Sequence, residues 1–349
     1  MARAGLKKNS AIILITALWL MVLLIFLALS LGRQARTDLE VLGFRQGQRR
    51  AYYQARAGIL YALDHIRRDS AHEESARWDT KYLCGISQEF RGQLEDVSAG
   101  IPVGEGSFSL EYRLHEGARF GMQDEDSKIN LNTLPSSDAG VLEKLISGLG
   151  YDEDTAVMVT SAVMDWRDAD GEPFSRDYPA EEDFYASQGR SAKNAPFSHK
   201  GELRLLRGMT PELFEDIFEL VTVFPQTGRF QLNFNTASRE VLEALARHFS
   251  GDRTNTDEQD VQGLIEKIME YRNGEDGIWA TEDDRRVDLN DMGLSAPERA
   301  LAFTLQVYRK DVSDHLTVTA AGHDGPTGAR QEIEAVIRRD DLAVVRWRQ

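Results

Sequence analysis

The stretch DWRDADGEPFSRDYPAEEDFYAS, residues 165–187, concentrates carboxylates that could bind a metal ion. Calcium takes roughly six to eight oxygen ligands and accepts them from flexible acidic loops. Eight acids lie here among glycine and proline. They are Asp165, Asp168, Asp170, Glu172, Asp177, Glu181, Glu182 and Asp183. The composition predicts either a structural calcium site or a set of solvated surface charges.

The spacing differs from that of an EF-hand loop. That register would require an acid at Trp166, and its twelfth position would be Asp177 instead of a bidentate glutamate. A calcium site here would therefore use another arrangement. The segment EDGIWATEDD, from Glu275 to Asp284, is a second and weaker acidic candidate.

Enzyme signatures do not accompany the acids. The sequence has no HExxH motif, no G-x-S-x-G elbow and no phosphate-binding GxxxxGK[ST] loop. Its seven histidines show no metal-ligand spacing. A carboxylate pair could still hydrolyse a substrate, because such pairs leave no sequence spacing.

The charge and cysteine content restrict the partners. The formal net charge of −16 repels phosphate backbones, so it disfavours nucleic acid and favours divalent cations or basic protein surfaces. Cys84 is the only cysteine, which excludes a disulfide within the chain.

An uncharged segment near the N-terminus is long enough to hold the chain in a membrane. Residues 11–31 contain no charge, and a helix of that length matches a hydrocarbon core of roughly 30 Å. Arg3, Lys7 and Lys8 precede it and predict a cytoplasmic N-terminus. The alternative is a signal peptide cleaved near Ala28-Leu-Ser30.

The helix is predicted to continue beyond the membrane segment. Residues 33–69 contain no proline, although Gly43 and Gly47 weaken the middle. Its apolar face consists of Tyr52, Ala55, Ile59, Ala62, Leu63 and Ile66. Its opposite, charged face consists of Arg49, Arg50, Gln54, Arg56, Asp64 and Arg67. The pattern predicts a stalk that packs on a folded head.

Predicted strands, in which apolar and polar residues alternate, flank a helical block in the head. Inward-facing residues at strand spacing are Phe108, Leu110, Tyr112 and Leu114, then Leu316, Val318 and Ala320, then Ile333, Ala335 and Ile337. Between them, an N-x-N-T segment followed by a helix occurs twice, at Asn130–Thr133 and at Asn233–Thr236. These asparagines are expected to be structural. The helices would be capped by those threonines or by the serines after them, and a third helix by Thr210 before Pro211.

Six motifs carry a family resemblance. In order they are ILITALWLMVLL, AYYQARAGILYAL, DEDSKINLNTL, the acidic DWRDADGEP…PAEEDFY, ELRLLRGMTPELFE and LNFNTASREVLEAL. The chain resembles the type II secretion minor pseudopilin K family over most of its length. The resemblance implies an α+β, pilin-like fold with a long N-terminal helix and an antiparallel sheet, plus a large inserted all-helical domain. The corresponding parts are a cytoplasmic leader 1–11, a transmembrane helix 12–31, a stalk 32–70, the first part of the sheet 71–125, the helical domain 126–310 and C-terminal strands 311–349.

The resemblance also implies how the N-terminus is processed. Pilin-like precursors lose a short leader to a prepilin peptidase and keep the apolar helix, which places the cut between Ala11 and a methylated Ile12. The family normally has glycine before the cut, so this chain departs from the pattern. Most pilin-like subunits carry glutamate as the fifth mature residue, whereas here that position is Thr16. A subunit with no neighbour ahead of it gains by lacking a buried carboxylate, which indicates a tip position.

The function implied is that of a non-enzymatic subunit at the tip of the pseudopilus, anchored in the bacterial inner membrane with a periplasmic head. Its partners would be other minor pseudopilins and the major pseudopilin. Family members bind calcium, and the matching positions are Asp168, Asp170, Glu181, Glu182 and Asp183. Two alternatives stay open. They are a membrane-anchored helix-hairpin-helix nucleic-acid receptor and a membrane-anchored periplasmic hydrolase.

Overall fold

One helix, α1 (Arg3–Ala71), runs from the N-terminal region into the head. The structure is a computed structural model and describes residues 3–73, 75–80, 84–86, 98–114, 117–251, 254–278 and 281–349. Because α1 is unbroken from Arg3 to Ala71, the predicted continuation of the membrane segment into the stalk is confirmed. Its inner residues Ala55, Ile59, Ala62 and Ile66 are at most 1 % exposed.

The predicted charged face of α1 is wrong at two positions. Gln54 is buried, and Arg50 donates from Nε to Asp324 Oδ1 over 2.6 Å. Arg50 contacts the turn after the strand of residues 315–323, and the side chain of Gln54 lies against Gly106, so the sheet covers a wider arc of α1 than the apolar pattern indicates. Gly47 permits this contact, because a Cβ there would lie 2.0 Å from Thr327 Oγ1.

The helix packs on an antiparallel sheet. Its strands are β1 (Ile101–Val103), β2 (Gly106–Leu114), β3 (Gly117–Phe120), β4 (Gln123–Asp124), β9 (His315–His323), β10 (Arg330–Arg338) and β11 (Val344–Arg348). The order is β1-β2-β9-β10-β11, with β3 on β2 and β4 on β9. The predicted inward residues of β2, β9 and β10 lie in the cluster under α1, with two exceptions. Tyr112 is buried but lies outside that cluster, and the side chain of Leu114 is outside the described residues.

A helical block lies between β4 and β9 in sequence. Its helices are α2 (Gly140–Gly148), α3 (Glu153–Arg167), α4 (Glu182–Ser187), α5 (Pro211–Phe218), α6 (Arg239–Phe249), α7 (Glu258–Arg272) and α8 (Ala296–Leu305). Two short parallel pairs, β5 (Ile129–Asn130) with β6 (Val221–Thr222) and β7 (Leu232–Asn233) with β8 (Arg309–Lys310), connect the helices. The block has its own hydrophobic core, which Val336 of β10 joins from the outer face of the sheet.

The repeated asparagines are structural, as predicted. Asn130 Oδ1 accepts from the backbone of Asn132 and Thr133, and Asn233 Oδ1 accepts from Asn235. These bonds shape the turn that leads into each helix.

The predicted caps have mixed outcomes. Ser238 caps α6 and Thr210 caps α5. The cap predicted for the first repeat is wrong, because α2 follows a 3₁₀ turn, Ser136–Asp138, and starts after Ala139 without a side-chain cap.

Buried polar groups join the helical block to the sheet. Asp124 accepts hydrogen bonds from Asn233 Nδ2 at 3.0 Å and Thr236 Oγ1 at 2.5 Å. Glu125 accepts from Thr317 Oγ1 at 2.7 Å and pairs with Lys128 at 2.7 Å. The start of the block is thereby joined to its second N-x-N-T segment and to β9.

Candidate metal centre

The acidic stretch is held between two helices. Helix α3 begins at the cap Asp152 and ends at Arg167, so Asp168 is the first residue beyond its last turn. Helix α4 begins at Glu182, and Glu181 precedes it in an extended conformation. The loop between the two helices returns on itself and brings Glu181 back to the end of α3.

Three of the predicted ligands meet at this point. One carboxylate oxygen from each of Asp168, Asp170 and Glu181 lies within 4.8 Å of the other two. The structure does not bring Glu182 and Asp183 into the cluster. Glu182 Oε2 accepts from the backbone of Ala192, and Asp183 is exposed.

Asp165 organises the loop, a role that its sequence context did not reveal. Its buried carboxylate accepts from the backbone of Phe174 over 2.6 Å and of Ala180 over 2.9 Å. These two bonds fold the loop across the end of α3. No sequence signal separates Asp165 from the other acids, because its role depends on which backbone groups return to it.

No ion pair neutralises the carboxylates of this cluster within the described part of the chain. Asp168 Oδ1 and both oxygens of Glu181 are buried, and they have no hydrogen-bond partner within the described part of the chain. The adjacent Arg167 points elsewhere, donating to the backbone oxygens of Leu131 and Leu134. Three carboxylates thus converge, and two of them have buried oxygens without a described partner, which is the chemistry of a calcium site.

The pKa values of the cluster report the same imbalance. Burial, reinforced by Asp170 and Asp165, raises the pKa of Asp168 to about 6. Burial and the neighbouring acids raise the pKa of Glu181 to about 7. A bound cation would reverse both effects, because it favours the charged form of each carboxylate.

The predicted processing residues lie at the start of α1. Ile12 and Thr16 are exposed, and Thr16 Oγ1 donates to the backbone oxygen of Ile13 at 2.9 Å. The side chain of Ala11 is outside the described residues. The apolar part of α1 is long enough to cross a membrane, and the described residues of the chain bury none of it, which is compatible with a single-pass anchor.

Comparison with known proteins finds a similarity to one family. Residues 127–226, which include α2, α3, α4 and α5, match the family model described as type II secretion system (T2SS), protein K. This part of the chain is similar to that family. The resemblance drawn from the sequence motifs is confirmed.

Similarity to individual members of the protein K family covers part of the chain. The type II secretion system protein K of Klebsiella pneumoniae is 30% identical over 118 residues, which are 33% of this chain and 35% of that protein. The putative type II secretion system protein K of Escherichia coli K12 is 26% identical over 161 residues, 42% of this chain and 48% of that protein. The alignments thus span between a third and a half of these relatives.

Similarity of fold extends further. A chain in the crystal structure of the GspK-GspI-GspJ complex from the enterotoxigenic Escherichia coli Type 2 Secretion System superposes with a TM-score of 0.58 and 16% identity. The match covers 90% of this chain and 96% of that one. The predicted fold, with a long helix, an antiparallel sheet and additional helices, is confirmed.

Proposed function

We propose that this protein K homologue is a non-enzymatic minor pseudopilin at the tip of a type II secretion pseudopilus. The observation that carries the proposal is the continuity of α1, whose membrane-length apolar part extends without a break into the helix that packs on the sheet. Such a helix can leave the bilayer and pack between neighbouring subunits without altering the head. The crystallised complex named GspK-GspI-GspJ supports other minor pseudopilins as partners.

The tip position is supported by residue type at the start of α1. If Ile12 is the first mature residue, the fifth is Thr16, which has no carboxylate to pair with the terminal ammonium of a subunit ahead. The proposal includes removal of the leader after Ala11 by a prepilin peptidase and methylation of Ile12. It places the N-terminus in the cytoplasm and the head in the periplasm.

Two measurements on membrane fractions test this function. Mass spectrometry of the isolated protein should find a mature chain that starts at Ile12. Co-isolation in mild detergent should recover other pseudopilins of the same secretion system. A soluble chain that starts beyond Ser30 would refute the proposal, since the helix that carries it would be lost.

We further propose that calcium binds at Asp168, Asp170 and Glu181 and has a structural role. The support is the set of unpartnered buried oxygens on Asp168 and Glu181. The ion would connect the end of α3 to the start of α4 and so hold the long loop on the helical block. Chelation should then lower the melting temperature without altering turnover of any substrate, whereas the hydrolase alternative requires a substrate whose turnover depends on the acids.

A further inference from the structure

A cavity lies between the helical block and the face of the sheet that points away from α1. Its volume is about 780 Å³, which is within the range of roughly 300–1,000 Å³ that is usual for small-molecule sites. The sheet contributes Thr317, Thr319 and Val336 to its lining. The helical block contributes Phe214 and Phe218 of α5. The cavity is thus separate from the acidic cluster and from α1, on which the function proposed above depends.

The side chain of Lys200 lines this cavity. Lys200 begins the 3₁₀ helix Lys200–Leu205 and is half-buried. Its Nζ donates to the backbone oxygen of Phe218 over 2.6 Å and lies 3.8 Å from the centre of the Phe218 ring. No carboxylate within the described part of the chain forms an ion pair with this nitrogen. The ammonium form of Lys200 is therefore withdrawn from water without a counter-charge in contact.

Lys200 differs in this respect from the other described lysines of the head. Four of them have a carboxylate oxygen within 2.5–2.7 Å of Nζ, and they are Lys128, Lys193, Lys267 and Lys310. Lys144 is exposed to solvent. Burial without an acidic partner in contact is thus particular to Lys200 among the lysines of the head that the structure describes.

The surroundings of Lys200 favour its neutral form. Burial and the cation of Lys128 lower the pKa of Lys200 to about 8, although Glu125, Glu219 and Glu334 act in the opposite direction. A lysine that is desolvated, or that lies beside another cation, is a common form of nucleophilic amine in proteins. Near pH 8 about half of the Lys200 side chains therefore carry an unshared electron pair on Nζ.

We propose that Lys200 is a site of covalent modification, at which its amine forms an imine with an aromatic aldehyde that enters the cavity. The rings of Phe214, Phe218 and Phe224 line the cavity and favour an aromatic body on the aldehyde. The electron pair of Nζ attacks the carbonyl carbon, and a C–N bond forms as the carbonyl π bond breaks. The oxygen then leaves as water with the two hydrogens of the amine, so neither an oxidant nor a reductant is required.

Lysine labelling of the full chain in detergent micelles tests this inference. The chain is treated with benzaldehyde at about pH 8, borohydride reduces the imine to a stable amine, and peptide mass spectrometry gives the rate at each lysine. We expect Lys200 to react at least about tenfold faster than Lys144, which is exposed, and than Lys267, which is paired with Glu298. In guanidinium the preference should disappear, because it depends on the folded surroundings of Lys200.

Two variants of β10 test the electrostatic part of the argument. Glu334→Gln removes an acid that opposes the lowered pKa of Lys200, so labelling of Lys200 at about pH 7 should become faster. Glu332→Gln is the matched control. Glu332 lines the same cavity on the same strand, but it is paired with Arg330, and its removal should leave the labelling rate unchanged.

Equal labelling of Lys200 and Lys144 in the folded chain would overturn the proposal. A preference for Lys200 that persists in guanidinium would overturn it as well, since the cavity would then have no part in the reaction. The same conclusion would follow if the rate at Lys200 did not rise between about pH 7 and about pH 9, or if Glu334→Gln slowed it.

Discussion

The carboxylates of Asp168 and Glu181 couple metal binding to pH. In the folded chain without metal their pKa values are raised to about 6 and about 7, from ordinary values of 3.8 and 4.5. At pH values between the ordinary and the raised pKa of each group, the folded chain binds more protons than the unfolded chain. The free energy of unfolding of the metal-free chain therefore falls as the pH rises through that range. Calcium must displace those protons, and its affinity therefore increases over the same range.

We predict that the stabilisation by calcium is larger at about pH 8 than at about pH 5. The measurement is the melting temperature with excess calcium minus that with chelator, at each pH. The double variant Asp168→Asn and Glu181→Gln should lose the difference at both pH values. Asp183→Asn is the control, because Asp183 is an exposed acid of the same stretch outside the cluster, and it should retain the difference. Equal stabilisation at the two pH values would contradict the linkage.

The difference between Glu181 and its neighbours shows what sequence alone could not resolve. Composition identified the acidic stretch, but α4 begins at Glu182, and each helical residue turns its side chain by about 100° from the one before. Adjacent acids therefore point in different directions. The selection of Asp168, Asp170 and Glu181 also depends on Asp165, whose bonds to the returning loop have no sequence signature.

At the scale of elements, the apolar periodicity of the sequence predicted the buried faces of helices and strands more fully than composition predicted the residues of the metal site. The inner faces of α1, β2, β9 and β10 follow the apolar spacing, because burial on one face imposes that spacing on a helix or a strand. Arg50 and Gln54 depart from it, since Arg50 contacts the turn at Asp324 and Gln54 lies against Gly106 of β2, and both are remote in sequence. The start of α2 also differs from its prediction for a tertiary reason. This helix has no side-chain cap, and the packing of its buried residues stabilises it instead.

Close packing of α1 on β9 requires Gly322. A Cβ at this position would lie 2.0 Å from the backbone oxygen of Ala51 and 2.4 Å from the nitrogen of Ala55, and backbone atoms of a helix cannot move aside individually. Gly322→Ala should therefore separate α1 from the sheet and cost about 1–3 kcal/mol or more. Gly43→Ala is the control, since a Cβ there meets no atom within 4 Å and should be neutral or slightly stabilising. Chemical unfolding in detergent measures both, and equal midpoints would show that α1 tolerates the extra methyl group.

The end of α1 is tied to β10 by a buried arginine. Arg339 donates to Asp69 Oδ2 at 2.5 Å and to both carboxylate oxygens of Asp79, at 2.7 and 2.9 Å. Arg339→Leu would leave two buried carboxylates without this cation, and we expect a loss of roughly 3–5 kcal/mol in the free energy of unfolding. Arg338→Leu removes the adjacent arginine, whose partners Asp340 and Asp341 are exposed, and its unfolding midpoint should not change. A small effect at Arg339 would mean that solvent reaches the acids.

At the scale of the whole molecule, one helix serves two environments. Its apolar part is not buried by any described part of the chain, whereas residues from Ala51 onward contribute to the core of the head. The helical block is fixed to the sheet through Asp124 and Glu125, at the point where the chain enters it. The head is thus one body at the end of a free apolar helix, and a change in the apolar part should affect assembly without affecting the fold.

Thr16→Glu tests the tip assignment on this basis. A subunit at the tip has no terminal ammonium ahead of it, so the new carboxylate would be unpaired in the bilayer or in the fibre, at a cost of up to about 3 kcal/mol. We expect reduced secretion and reduced co-isolation of other pseudopilins, with the melting temperature of the head unchanged. Thr16→Val is the control, because it changes the same side chain without adding charge and should secrete normally. Normal or improved secretion by Thr16→Glu would instead indicate that another subunit lies ahead of this one.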